Sequence, residues 1–179
     1  KTRFVAGRQQ LLRLDDETAR PAAGSTAAAL LAGLDAALPS VDIVLLSDYA
    51  KGVLSDEVLQ PAIAKIHGAG KRLIVDPKSR DFRRYAGADL LTPNRGELAA
   101  ATGVSTEDDA SVTAAARQAI ESARLGAVLA TRGERGMTLV AGDSEPLHLS
   151  AEAREVFDVS GAGDTVIATL AAALAVGAD

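Results

Sequence analysis

The strongest constraint in this chain is the order in which short apolar runs and helix-like stretches follow one another. Val41–Leu46, Arg72–Val75, Asp89–Thr92 and Ala127–Thr131 are runs rich in apolar residues, without regular polar alternation. Such runs suit strands buried on both faces. The stretches between them read as helices: Ser55 to about His67, roughly 95–101 and roughly 108–124. An earlier helix, capped by Ser25 or Thr26, runs to about Leu38 and is stopped by Pro39. A last one begins near Gly161 or Ala162 and reaches about Val176. This alternation predicts an α/β sheet with helices on both faces. Met137–Val140 and Leu147–Leu149 read as further strands. Ahead of them all, Arg3–Ala6 and Gln10–Leu14 flank Gly7-Arg8 as a hairpin.

Each run of the alternating part ends in polar residues: Ser47-Asp48, Asp76-Pro77-Lys78, Thr92-Pro93-Asn94 and Thr131-Arg132. In open α/β sheets, ligands bind beyond the carboxyl ends of the strands. Four loops therefore point chemistry toward one edge. Any one of them alone reads equally as an ordinary polar strand end.

Composition removes several other functions. The chain has no Cys, so disulfides, thiolate zinc sites and cysteine nucleophiles are excluded. Its two His, His67 and His148, lie far apart and form no HExxH pattern. The net charge of −5 argues against a broad nucleic-acid surface. With so few aromatics, stacking platforms for single strands are disfavoured too. No apolar run is long enough to span a bilayer, and Lys1–Arg8 lacks the apolar core of a signal peptide. A cytoplasmic protein is the expectation, with no nucleic-acid or membrane partner.

The most informative stretch is Asp158-Val159-Ser160-Gly161-Ala162-Gly163-Asp164-Thr165. Its glycine-rich turn opens directly into an Ala-rich helix. The first N–H groups of a helix have no internal partner and carry the positive end of its dipole. They form a receptor for a phosphate or a developing anion. Asp164 sits just inside that turn, where its charge opposes a bound phosphate unless it takes a proton from an attacking hydroxyl. A simple helix cap accounts for the same residues. The stretch is neither a dinucleotide fingerprint, since Val166 stands at the third glycine position, nor a P-loop, since no Gly-Lys-Ser/Thr follows.

This segment resembles the second signature of the ribokinase, or PfkB, family of sugar kinases. Asn94-Arg95-Gly96-Glu97 matches that family's N-x-x-E motif. Val75-Asp76-Pro77-Lys78 and Thr131-Arg132-Gly133-Glu134-Arg135-Gly136 match its other nucleotide-side segments, in the right order. Four phrases are closer still to the heptose 7-phosphate kinases within the family: Gln9–Asp15, Leu46–Gly52, Asp76–Phe82 and Ala153–Asp158.

The resemblance implies a ribokinase-like three-layer α/β/α sandwich across residues 1–179. It implies ATP and Mg²⁺ as cofactors, with K⁺ as a monovalent cation, and transfer of the γ-phosphate to the anomeric hydroxyl of a heptose 7-phosphate. Asp164 becomes the base. The N–H groups of Gly161, Ala162 and Gly163 become the anion hole. Lys78, Asn94, Glu97, Thr131, Arg132 and Gly133 fall on the nucleotide side, with Asn94 and Glu97 orienting Mg²⁺ through its waters. Asp158 and Ser160 fall where some relatives bind a monovalent cation. Asp48, Lys51 and Arg80 are the candidates for the sugar phosphate, although a solvated loop explains each equally well. A capping box explains Asn94 and Glu97, and both readings can hold together. The two His are expected to be structural or exposed.

One departure matters. The family's first glycine-rich signature and the last helices around the adenine have no counterpart here, so the chain reads as part of a domain of roughly 300 residues. The hairpin at 1–15 then reads as a lid or a dimer contact, and a homodimer is expected. Competing readings are another ribokinase-type sugar or nucleoside kinase and a nucleotide-binding fragment without turnover.

Overall fold

The computed structural model describes residues 2–7, 9–152 and 161–177. In chain order the elements are β1 (Thr2–Ala6), β2 (Gln9–Leu14), α1 (Ser25–Ala37), β3 (Ile43–Ser47), α2 (Asp56–Gly68), β4 (Arg72–Asp76), β5 (Leu90–Leu91), α3 (Arg95–Thr102), α4 (Asp109–Ala123), β6 (Ala127–Thr131), β7 (Met137–Ala141), β8 (Leu147–Leu149) and α5 (Ala162–Ala175). Short 3₁₀ turns lie at Leu38–Ser40, Phe82–Tyr85 and Gly133–Arg135.

Strands β3 to β8 form one sheet in sequential order. β3, β4, β5 and β6 run parallel, so their carboxyl ends share one edge. β7 and β8 continue the sheet antiparallel. Gly136 makes the return from β6 possible. Its φ is +83°, and a Cβ there would meet the carbonyl oxygen of Leu149 at 1.8 Å. The hairpin β1–β2 is a separate antiparallel pair with a register irregularity at Phe4/Val5.

Alternation along the strands divides the core. Leu73 and Val75 of β4, and Val128 and Ala130 of β6, face the larger core cluster with Leu59, Ile63 and Ile66 of α2, Leu98 of α3 and Val112, Ala115, Ala116 and Ala119 of α4. Ile74 and Leu129 face the other way, onto Ile167, Leu170 and Leu174 of α5. The buried positions of α2 and α4 recur at three- and four-residue steps, one stripe of each helix. Alanines along α4 let that helix lie close to the strands. Leu98 is fully buried, and cutting it to Ala should cost about 2–5 kcal/mol. The two faces are unequal: the first carries α2, α3 and α4, while α5 is the element that covers the second among the described residues. Residues of β3 are accordingly half-buried.

Helix ends follow local chemistry with one correction. Asp108 and Ser111 form a capping box at α4. At α1, neither Ser25 nor Thr26 is the cap. Gly24 holds that position with φ 55°, and its N–H donates to Glu57 Oε2 at 2.9 Å. An acid from α2 therefore holds the cap residue's own N–H, and no side chain caps the first turn of α1. No helix among the described residues is long and apolar enough to cross a membrane.

Candidate active site

The shared carboxyl edge of β3–β6 gathers the polar strand ends. Asp76, Lys78, Thr92, Asn94, Glu97 and Thr131 line a cavity of about 170 Å³, together with Gly163 and Val166 of α5. A second cavity of about 360 Å³ shares Thr131, Gly163 and Val166 with the first. It extends along Gly133, Gly136, Met137, Ser150, Ala151 and Ala162, a more apolar lining. One groove thus has a charged half and an apolar half that meet at the start of α5.

The charged half is fixed by backbone. Asn94 pairs with Thr131 in an isolated parallel bridge, and Thr131 N–H donates to the Pro93 carbonyl at 2.9 Å. Asn94 Oδ1 accepts from the Glu97 N–H at 2.9 Å, and Glu97 Oε2 accepts from the Asn94 N–H at 2.9 Å. This is a complete capping box at α3. The other Glu97 oxygen takes a hydrogen bond from Lys78 Nζ at 2.6 Å. That bond raises the Lys78 pKa above its ordinary value and keeps the ammonium charged.

Asp76 ends β4 in the same cavity. Burial, and next the charge of Glu97, push its carboxyl up to about 6; Lys78 opposes the rise, and Asp164 and Asp48 add to it. The sequence reading passed over this residue in favour of its neighbour Lys78. An acid before Pro at a strand end was the available signal. Its crowding by Glu97 depends on β4 and β5 being sheet neighbours, which local sequence does not show.

Gly161 caps α5 at φ 82°, a left-handed conformation natural to glycine. It lets the chain turn sharply into the helix. Asp164 stands exposed in the first turn. The leading N–H groups at 162–164 have no partner within the helix. Asp164 is near enough to Asp76 for its charge to act there. The structure therefore brings Gly163, Lys78, Asn94, Glu97 and Thr131 to one groove, with Ala162 and Gly133 along it. Asp164, the next residue after Gly163, and the cap Gly161 line neither half.

Other expected site residues are placed apart. Arg132 turns inward: its side chain is 5% exposed and donates to Asp109 Oδ1 at 2.5 Å and Thr138 Oγ1 at 3.1 Å. It lines neither half of the groove. Asp48 is buried beyond β3 and borders a cavity of about 300 Å³ with Pro21, Gly52, Ser55 and Arg84. Lys51, on that same loop, is exposed and paired with Glu17. Arg80 lines a different cavity, against α3 and α4. Asp158 and Ser160 lie outside the described residues. His67 sits 3.6 Å from Asp89, and His148 Nδ1 lies 2.9 Å from Thr138 Oγ1; both belong to structural contacts.

The mixed sheet thus gathers the open start of α5 and the Asn94–Glu97 cap at the carboxyl edge of its parallel strands. The sequence profile described as pfkB family carbohydrate kinase matches residues 15–179, and the chain belongs to that family. Among known proteins, it is 54% identical over 178 residues to the Bifunctional protein HldE of Paramagnetospirillum magneticum, and 56% identical over 178 residues to that of Rhodospirillum rubrum. Each match covers 99% of this chain and 36% of the relative, so the chain spans about a third of these curated relatives. A solved structure of Arabidopsis thaliana ribokinase, complexed with ribose and ATP, superposes with a TM-score of 0.68 at 26% identity, covering 81% of this chain and 46% of that one. Phosphofructokinase-2 from Escherichia coli, in complex with potassium, gives 0.69 at 21% identity over 83% and 50%.

Proposed function

We propose that this chain carries the ATP-dependent kinase activity that phosphorylates the anomeric hydroxyl of D-glycero-D-manno-heptose 7-phosphate. The product would be the 1,7-bisphosphate used for ADP-heptose and lipopolysaccharide-core synthesis in the cytoplasm. The observation that carries the reading is the groove in which Gly163, at the open start of α5, meets Lys78 and the Asn94–Glu97 cap, with Asp164 the next residue along that helix. Identity above 50% to proteins named HldE supports the heptose-type substrate, as do the phrases of the sequence that resemble heptose 7-phosphate kinases.

Phosphoryl transfer asks a protein mainly for alignment and charge stabilisation. Asp164 accepts the proton of the anomeric hydroxyl. The freed oxygen forms its bond to the γ-phosphorus as the bond to the bridging β–γ oxygen breaks, and ADP leaves. N–H groups at Gly161, Ala162 and Gly163 stabilise the charge on the equatorial oxygens. Lys78 and the backbone of Thr131 and Gly133 hold the phosphates. The apolar half of the groove, with Met137 and Val166, receives the nucleoside. Asp48 and Lys51 orient the sugar phosphate, and Arg80 takes part only after moving from its present cavity. Arg132 shapes the nucleotide loop from within rather than touching phosphate.

The donor set fits Mg²⁺. Asp76, Glu97 and Asn94 offer only oxygen donors, the type this ion prefers. The Asp76 pKa is held up by burial first and by the charge of Glu97 next, and a divalent cation would favour its charged form. Among the described residues, no group of three or more His, Cys, Asp or Glu is placed to hold a metal directly, in keeping with an ion that retains waters. Mg²⁺ bound through Asn94, Glu97 and Asp76 supplies neutralisation of phosphate charge. Asp158 and Ser160 are proposed to hold a monovalent cation, K⁺ in the first instance. The hairpin β1–β2 is proposed as a lid over the sugar or a contact between two copies, since Phe4, Leu11, Leu12 and Leu14 are exposed on it.

The test is a substrate panel on the full-length protein, with product identified by mass. Heptose 7-phosphate should gain a single phosphoryl group, far faster than ribose, fructose 6-phosphate or nucleosides. Faster turnover of one of the others would replace this reading with another kinase of the same family.

A further inference from the structure

One side chain links the two halves of the edge without lying on it. Tyr85, at the end of the 3₁₀ turn Phe82–Tyr85, is fully buried. Its hydroxyl donates to Asp48 Oδ2 at 2.5 Å. The Tyr85 hydroxyl oxygen in turn accepts from the Ser79 N–H at 3.1 Å and the Lys78 N–H at 3.3 Å. A phenol offers one donor and two acceptor positions, and all three are used. They bind the loop that follows β3 to the loop that follows β4.

The ring itself is held in place. The Phe82 ring packs beside it at 6.4 Å, tilted by 52°. The Arg84 guanidinium lies 6.0 Å from the ring centre, and its Nη2 donates to the Leu54 carbonyl at 2.7 Å. Asp81 caps the turn by accepting from the Arg83 N–H at 3.1 Å. On the far side, Asp48 Oδ1 accepts from the Ala50 N–H at 2.7 Å, so both oxygens of that carboxylate are committed. Burial pushes the phenol up to about 12, which keeps it a donor throughout the working range of such an enzyme.

We propose that Tyr85 is a positioning residue for the kinase reaction: it fixes Asp48, on the sugar side, relative to Lys78 and Ser79, on the phosphate side. The inference rests on the functional reading above. In-line transfer tolerates little error in the separation of acceptor and donor. A buried three-way hydroxyl bridge between the two loops sets that separation, whereas surface loops tied only at their ends would not.

Removing the hydroxyl leaves a buried carboxylate oxygen and two N–H groups short of a partner. In the full-length protein, Tyr85→Phe should therefore raise the KM for heptose 7-phosphate about tenfold and weaken binding of a non-hydrolysable ATP analogue by several-fold. In an Asp48→Asn background, the same change should add less than about twofold to the sugar KM, because the two residues act through one link. A role in stability alone predicts a lower melting temperature with both ligand responses unchanged in the folded protein, and that result overturns the proposal. Full additivity of the two substitutions on the sugar KM also overturns it.

The nucleotide arm keeps this test separate from that of the functional reading. If the unsubstituted protein fails to phosphorylate heptose 7-phosphate, the substrate assignment falls, while weakened binding of the ATP analogue by Tyr85→Phe still decides the role of Tyr85. Should Tyr85→Phe fail to fold, fluorotyrosine placed at position 85 keeps every atom of the bridge. Its fluorine resonance should move when either ligand saturates the site. A resonance indifferent to both contradicts the proposal.

Discussion

The loops after β4, β5 and β6 and the hairpin β1–β2 are built on opposite terms. The loops are cross-bonded to one another: Asn94 to Glu97, Glu97 to Lys78, Thr131 to Pro93. The hairpin has a ladder of its own but leaves large apolar side chains in water, Leu11 at 64% and Leu12 at 57% exposed. The charged half of the groove is thus held by the ends of neighbouring strands and by the cap of α3. The hairpin's apolar surface has no cover among the described residues.

If that contrast holds, the largest effect belongs to the rigid edge. Asp164→Asn in the full-length protein should lower kcat by roughly 10²–10⁴-fold, the usual range for a lost general base, with little change in either KM. A small loss would place the proton acceptor elsewhere. Asp76 sharpens the same side through stability. Its carboxyl titrates near 6 in the folded protein, against 3.8 as the ordinary value. The folded state then binds this proton more tightly than the unfolded one. Stability is fully present below about pH 4 and is lost as the pH rises through about 6. Asp76→Asn should remove that loss. In urea unfolding without divalent ions, the variant should be more stable than its parent by about 1–2 kcal/mol at pH 7.5, after allowance for solvent screening of a half-buried group, and nearly equal at pH 4. Its phosphotransfer should fall at the same time, because the amide offers a bound cation no negative charge.

The hairpin should give the smallest effect on chemistry. Leu12→Glu should change kcat by less than about threefold while weakening self-association or closure over the sugar. Sedimentation at several concentrations, set beside the sugar KM, distinguishes the two. A hundredfold loss of kcat from Leu12→Glu would erase the contrast between the regions.

Much of this division was legible before the structure. Arg72–Val75 and Ala127–Thr131 announce strands because burial on both faces removes polar alternation, and Val41–Leu46 carries the same pattern although β3 is only half-buried. The i, i+3 spacing of Asn94 and Glu97 encodes its own capping box. What escaped depended on distant partners. Gly24 takes the cap position of α1 with its own N–H held by Glu57 from α2. The direction of Arg132 was set by Asp109, at the start of a helix 23 residues earlier. Tyr85 carried no local signal at all, since its 3₁₀ turn has neither the length nor the periodicity of an element and its partner Asp48 lies 37 residues away. The inequality of the two sheet faces was likewise invisible, because a count of helices does not say which face each one covers.

A structure of the full-length protein with a non-hydrolysable ATP analogue and heptose 7-phosphate addresses the central claim most directly. The terminal phosphate should rest on the N–H groups at the start of α5, with the anomeric oxygen within hydrogen-bond reach of the Asp164 carboxylate. A nucleotide seated away from this groove, or an acceptor oxygen out of reach of Asp164, would contradict the account.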